Sequence, residues 1–159
     1  MSRHSRISAS SSRRAASSDC SLMDIPVVEI IPQRKPFILI DELLFCDREV
    51  SRTSYLVRPE AIFVTDGELD TAGIIENMAQ TAVARIGYLA KYVDGGRVTI
   101  GYIGNVHNLT VLRRPKVGET LITEVTLKNV VMGIAMSEAR VVIDGETIAE
   151  ASIKTAQAE

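Results

Sequence analysis

Residues 71–93 hold the pattern that most limits what this chain can become. Ile75, Met78, Ala79, Ala82, Val83, Ile86, Leu89, Ala90 and Val93 recur at spacings of three and four, which predicts a helix with one wide apolar face. A face that wide is costly to leave in water, so it needs a large apolar surface to lie against. Ala79, Ala82, Ala84 and Gly87 are small enough to let that surface approach closely. Asp70 or Thr71 stands where a cap belongs, and Asp94-Gly95-Gly96 ends the run.

The covering surface must come from strands, because the rest of the chain reads as little else. Val27 to Arg34 is an entry segment ending in the Pro32 and Pro36 bracket, and Phe37 to Phe45 is a β-rich apolar run. Ser51 to Arg58 alternates polar and apolar residues, as a half-buried strand does. Pro59 to Asp70 is an acidic loop with Glu60, Asp66, Glu68 and Asp70. After the helix, strands are expected at Val98–Ile103, Leu109–Arg113, Thr120–Lys128, Ile134–Ile143 and Glu146–Thr155. Lys116-Val-Gly-Glu119 and Asp144-Gly-Glu146 read as turns, the second a tight hairpin. The plan is α+β, an antiparallel sheet around one long helix.

Residues 23–159 form this single domain, while residues 1–22 differ in kind. Nine serines and four arginines fill the first 22 positions, a composition that cannot bury enough surface to order itself. A transit peptide, a flexible tail and a mis-assigned start upstream of Met23 are the three readings of this stretch, with the mis-assigned start favoured. Beyond it the charge is mildly acidic, fourteen basic against nineteen acidic residues, so nucleic acid is not expected as a partner. No apolar run is long enough for a membrane span. Cys20 and Cys46 make neither a disulfide framework nor a zinc pair, which fits a reducing cytoplasm. No metal-ligand cluster is evident.

Three segments then carry a resemblance. Ile31-Pro-Gln-Arg-Lys-Pro-Phe-Ile-Leu-Ile-Asp41 is similar to the entry motif of bacterial 3-hydroxyacyl-ACP dehydratases, Leu-Pro-His-Arg-x-Pro-Phe-Leu-Leu-Val-Asp. Ile74-Ile-Glu-Asn-Met-Ala-Gln80 resembles the start of that family's central helix, and Arg114-Pro-Lys-Val-Gly-Glu-Thr-Leu121 its Arg-Pro-x-x-Pro-Gly-Asp-x-Leu segment. They occur in the family's order. The resemblance implies a hotdog fold, a homodimer or a heterodimer with another hotdog subunit, and a substrate carried on the phosphopantetheine of an acyl carrier protein or on CoA, with no further cofactor.

It also implies a catalytic role for Glu76. In the family a histidine and this glutamate divide the proton transfers, and the positive end of the helix polarises the thioester carbonyl, which would involve Gly73 and Ile74. The histidine lies in His-Phe-Pro-Gly-His-Pro, fourteen residues before the glutamate, where this chain has Ile62 within Ala61-Ile-Phe-Val-Thr-Asp-Gly67. The whole motif is missing, and the entry-motif histidine is Gln33. The chain thus resembles the divergent branch serving aryl-polyene-type pigments and specialised lipids.

Gln80, one turn beyond Glu76, is placed to orient it or a water. His107 is the only histidine after residue 22; it is read as a strand-edge residue, with a base reaching the site across a dimer as the alternative. Arg34 and Arg114 are the candidates for the phosphopantetheine phosphate or the acidic carrier protein. Three functions fit these residues: an acyl-ACP dehydratase using Glu76, a thioesterase using the lone carboxylate, and a non-catalytic partner of an active hotdog subunit. The dehydratase reading ranks first.

Overall fold

The computed structural model describes residues 23–96 and 101–157; residues 1–22, on which the tail and start-site readings fall, lie outside the described part. The elements run β1 (Glu42–Cys46), β2 (Val50–Leu56), β3 (Val64–Thr65), β4 (Glu68–Leu69), α1 (Thr71–Tyr88), β5 (Gly101–Val111), β6 (Thr120–Val131), β7 (Ile134–Ile143) and β8 (Glu146–Gln157). Six strands make one antiparallel sheet in the order β1-β2-β6-β7-β8-β5, and β3 with β4 forms a small separate hairpin. This is the hotdog arrangement, a sheet wrapped around α1.

The core follows from the two periods. Leu121, Val125, Ala139, Val141, Ile143, Ile148, Ala151 and Ile153 alternate inward from β6, β7 and β8 onto Ile74, Met78 and Ala82 of the helix. Burying an Ile or Met side chain fully contributes about 1.5–3 kcal/mol. The opposite flank of α1 is covered by the entry segment, where Ile30, Ile31, Ile40 and Leu43 pack on Val83 and Ala84. Gly87 makes this approach possible: a Cβ there would lie 1.9 Å from the Ile30 carbonyl oxygen.

Several elements differ from the sequence-based expectation, among them the acidic stretch Pro59–Asp70, read as a loop, which holds the β3–β4 hairpin. Of the apolar run Phe37–Phe45, only Glu42–Cys46 pairs as a strand, because helix side chains have claimed the backbone of Phe37 and Leu39. The helix is regular to Tyr88 and finishes in a π turn at Leu89–Val93. The two strands expected at Val98–Ile103 and Leu109–Arg113 are one strand, β5, although residues 98–100 lie outside the described part. The Gly104–Asn108 stretch that looks like a loop is absorbed by register shifts after Ile103 and His107, with Asn108 at φ 52°. At the β7–β8 turn Asp144 and Gly145 both take positive φ, 49° and 80°, as a two-residue hairpin requires. No helix among the described residues is long and apolar enough to cross a membrane.

Candidate functional site

Glu76 lies in the second turn of α1, half-buried, between the entry segment and the solvent. Gln80, fully buried one turn later, holds it. The Gln80 amide nitrogen donates to Glu76 Oε1 at 2.8 Å and to the Phe37 carbonyl at 2.7 Å. Gln80 Oε1 accepts the Leu39 N–H at 2.7 Å. Reversing that amide would aim an oxygen at two acceptors, so its orientation is fixed, and with it the Glu76 rotamer. The pairing expected from the i, i+4 spacing is therefore present.

The helix start is less simple. Asp70 occupies the N-cap position, but its side chain makes no cap bond, contrary to the expectation. Its carboxylate accepts the Thr65 hydroxyl at 2.9 Å and meets the Arg114 guanidinium at 3.5 Å. No side chain thus takes up the N–H groups of the first turn, although the Asp70 carboxylate still places a negative charge at the positive end of the helix. Gly73 is buried, and the space of its missing side chain is taken by Leu69 and Phe63, with Leu69 Cδ1 2.6 Å and Phe63 Cβ 2.8 Å from an added Cβ. Ile74 is wholly inside the core. Neither side-chain position is open, and the Ile74 N–H already donates to the Asp70 carbonyl at 3.1 Å.

Arg34 and Arg114 already have partners. Arg34 turns back to donate to the carbonyls of Ile31 and Gln33, at 3.0 and 2.7 Å, bracing the entry turn. Arg114 lies 3.5 Å from both Glu68 and Asp70, so a phosphate would have to displace carboxylates. Arg113 grips Glu119 with two bonds of 2.8 and 3.1 Å, while Glu119 also accepts the Lys116 N–H. The Arg113 guanidinium, with that N–H, holds the Glu119 carboxyl below the usual carboxylate range. A cavity of about 400 Å³ beside the entry segment is lined by Lys35, Asp41, Tyr55, Arg58 and Glu60. Its charges balance, since Arg58 pairs with Asp41 at 3.0 Å and Glu60 offsets Lys35.

His107 sits in the middle of β5, opposite Ser152 of β8, not ahead of a strand as the sequence suggested. β5 is a terminal strand of the sheet, so His107 belongs to an edge that another chain can approach. The residues that sequence reasoning missed are Asn77, Thr81 and Thr123, all fully buried polar side chains around α1. Asn77 and Thr81, four apart in an otherwise apolar helix, were the available signal.

Half-buried Cys46 is poorly disposed to act as a nucleophile. Burial pushes its thiol up to about 12, against the opposing pull of Arg85. In a Cys20→Ser variant, the half-buried Cys46 is expected to react with a thiol-specific disulfide reagent at pH 8 more slowly than it does in the unfolded chain; equally fast native labelling would contradict the raised value. The raised value also means that the thiol's contribution to stability is intact below about pH 9 and lost as pH rises towards 12.

A sheet wound on one long helix, with a carboxylate in the helix's second turn, places the chain among the hotdog proteins. A family model described as ApeP dehydratase matches residues 25–159, and the chain belongs to that ApeP-like family. It is 30% identical over 139 residues to the 3-hydroxyacyl-acyl-carrier-protein dehydratase FabZ of Bacillus cytotoxicus, covering 84% of this chain and 94% of the relative. FabZ of Chromobacterium violaceum is 29% identical over 141 residues, with 84% and 91% covered. Among solved structures, the dehydratase heterocomplex ApeI:P from Xenorhabdus doucetiae superposes with a TM-score of 0.79 at 18% identity, covering 85% of this chain and 92% of that one.

Proposed function

We propose that this chain is the glutamate-bearing subunit of a 3-hydroxyacyl-ACP dehydratase, completed by a second hotdog subunit that supplies the histidine. The observation that carries it is the Gln80–Glu76 hydrogen bond: a half-buried carboxylate with one oxygen held at 2.8 Å, which leaves the other without a protein partner among the described residues. Removing water of the 3-hydroxyl requires a base for the proton next to the carbonyl and an acid for the departing hydroxyl. Glu76 provides one such group, and the uncapped start of α1 suits the thioester oxygen.

The second group is not in the usual place. Ile62 stands at the family's histidine position and is exposed, and His107 is carried on an edge strand. The resemblance to one member of a solved dehydratase heterocomplex supports a second hotdog subunit as its source. The exposed edge of β5 gives such a subunit a strand to pair with. The substrate class, the carrier and the heteromeric state are all parts of this reading.

The test compares the chain purified alone with the chain purified from its own host together with any hotdog subunit it retains. Both are given 3-hydroxyacyl-ACP, and the products are followed by mass spectrometry. Enoyl-ACP from the complex, and little from the chain alone, is the expected result. Free acid would mean hydrolysis, and retained acyl-ACP with no turnover in either sample would overturn the enzymatic reading.

A further inference from the structure

The polar side chains buried around α1 form one continuous chain of hydrogen bonds, and it leads to Glu76. At its sheet end the Ser51 hydroxyl donates to the Thr81 carbonyl at 2.8 Å. The Thr81 hydroxyl donates to the Asn77 carbonyl at 2.8 Å, so in its 2.7 Å contact with Thr53 it must be the acceptor. From β6, the Thr123 hydroxyl donates to Asn77 Oδ1, and Asn77 Nδ2 donates to the Leu39 carbonyl at 2.7 Å. Ser51, Thr53, Asn77, Gln80, Thr81 and Thr123 are all at 0% exposure, so each bond is made where an unpaired group would be costly.

Two helix amides therefore clasp Leu39 from both sides, Asn77 on its carbonyl and Gln80 on its N–H. The Asn77 amide has one workable orientation. Turned over, its oxygen would face the Leu39 carbonyl. Thr123 reinforces the choice by spending its only proton on Asn77 Oδ1. The position of Leu39 then sets the position of Gln80, and Gln80 sets Glu76.

We propose that Asn77, oriented by Thr123, is a positioning residue for Glu76, acting through the Leu39 backbone and Gln80. This rests on Glu76 being the reacting carboxylate. A purely apolar contact between α1 and β6 would fill the same volume, yet it would leave Leu39 free to shift along the helix. Reacting groups displaced by about 1 Å can lose on the order of 10²-fold in rate.

The test uses Thr123→Val, which keeps the shape and removes the hydroxyl, with Thr123→Ser as rescue and Val125→Ala as a packing control on the same strand. Two readouts are taken. The first is hydrogen exchange of the Gln80 side-chain amide by ¹⁵N NMR, which needs no turnover. The second is kcat and KM of the complex. Thr123→Val is expected to speed exchange by about tenfold and to lower kcat by roughly ten- to a hundredfold with KM little changed. Thr123→Ser restores both, whereas Val125→Ala lowers stability without altering either.

Unchanged exchange and unchanged kcat in Thr123→Val would overturn the proposal, as would equal effects from Val125→Ala. If Glu76→Gln leaves turnover intact, the functional reading fails instead. The Gln80 exchange rates still decide whether Thr123 governs the position of that side chain.

Discussion

Replacing Glu76 with glutamine is expected to lower dehydration of 3-hydroxyacyl-ACP by the complex by roughly 10²–10⁴-fold, the usual contribution of a positioned acid or base. The fold should not notice. Glutamine is the same size, and its carbonyl oxygen still accepts the Gln80 amide proton that Glu76 Oε1 accepts now. What disappears is the capacity to take and return a proton. Glu76→Asp is the complementary change: it keeps the charge but shortens the reach by one methylene, so the bond to Gln80 is lost and activity falls too. Steady-state kinetics with the enoyl product as readout, beside circular dichroism and thermal unfolding, checks both variants. A Glu76→Gln complex that turns over like the wild type would assign the chemistry to the partner subunit, and this chain's role to support.

How much of this was visible in the sequence depends on which force decided each element. The helix and the β6–β8 meander were legible because hydrophobic burial decides them, and burial imposes a period on the residues themselves. Phe37–Asp41 misled for the opposite reason. Its composition is that of a strand, but its backbone bonds go to Asn77 and Gln80, around forty residues away, and no local pattern announces a backbone group claimed by a distant side chain. The same holds for Gly104–Asn108, whose polar, turn-like residues are tolerated in β5 because register shifts against β8 absorb them.

The candidate site divides along similar lines. Glu76 was singled out by the family resemblance and not by any local pattern, whereas Gln80 followed from its place one turn further along the helix, where the two side chains hydrogen-bond. Arg34 and Arg114 looked available as cations, since a sequence cannot show that the first braces Ile31 and the second faces Glu68 and Asp70. Asp70 had the right residue type for a cap, yet a neighbouring hydroxyl and guanidinium outcompeted the helix for its carboxylate. Competition among partners is decided in three dimensions. Residue type alone names only the contestants.

Gly87→Ala is expected to be among the most destabilising single changes available, although the same substitution in an ordinary exposed helix would stabilise by about 1 kcal/mol. The sign reverses because of what lies opposite. An alanine Cβ would be placed 1.9 Å from the Ile30 carbonyl oxygen, 2.7 Å from its carbonyl carbon and 2.9 Å from its Cα. All three are backbone atoms, so no rotamer change relieves the clash; the entry segment must move off the helix as a whole. That movement would open the cluster of Ile30, Ile31, Ile40, Leu43, Val83 and Ala84. Overpacking of this kind costs about 1–3 kcal/mol and sometimes more, and at roughly 2–4 °C per kcal/mol for a domain of this size the upper end lowers Tm by about 10 °C. Gly73→Ala supplies the comparison. Its close atoms, at 2.6 to 2.9 Å, belong to the side chains of Leu69 and Phe63, which have some freedom to yield, so a smaller loss is expected there. Thermal unfolding of the two variants side by side is the measurement. A Gly87→Ala protein as stable as the wild type would mean that the entry segment does not bear on the helix at Ile30, and the flank of α1 that carries Gln80 would need another cover.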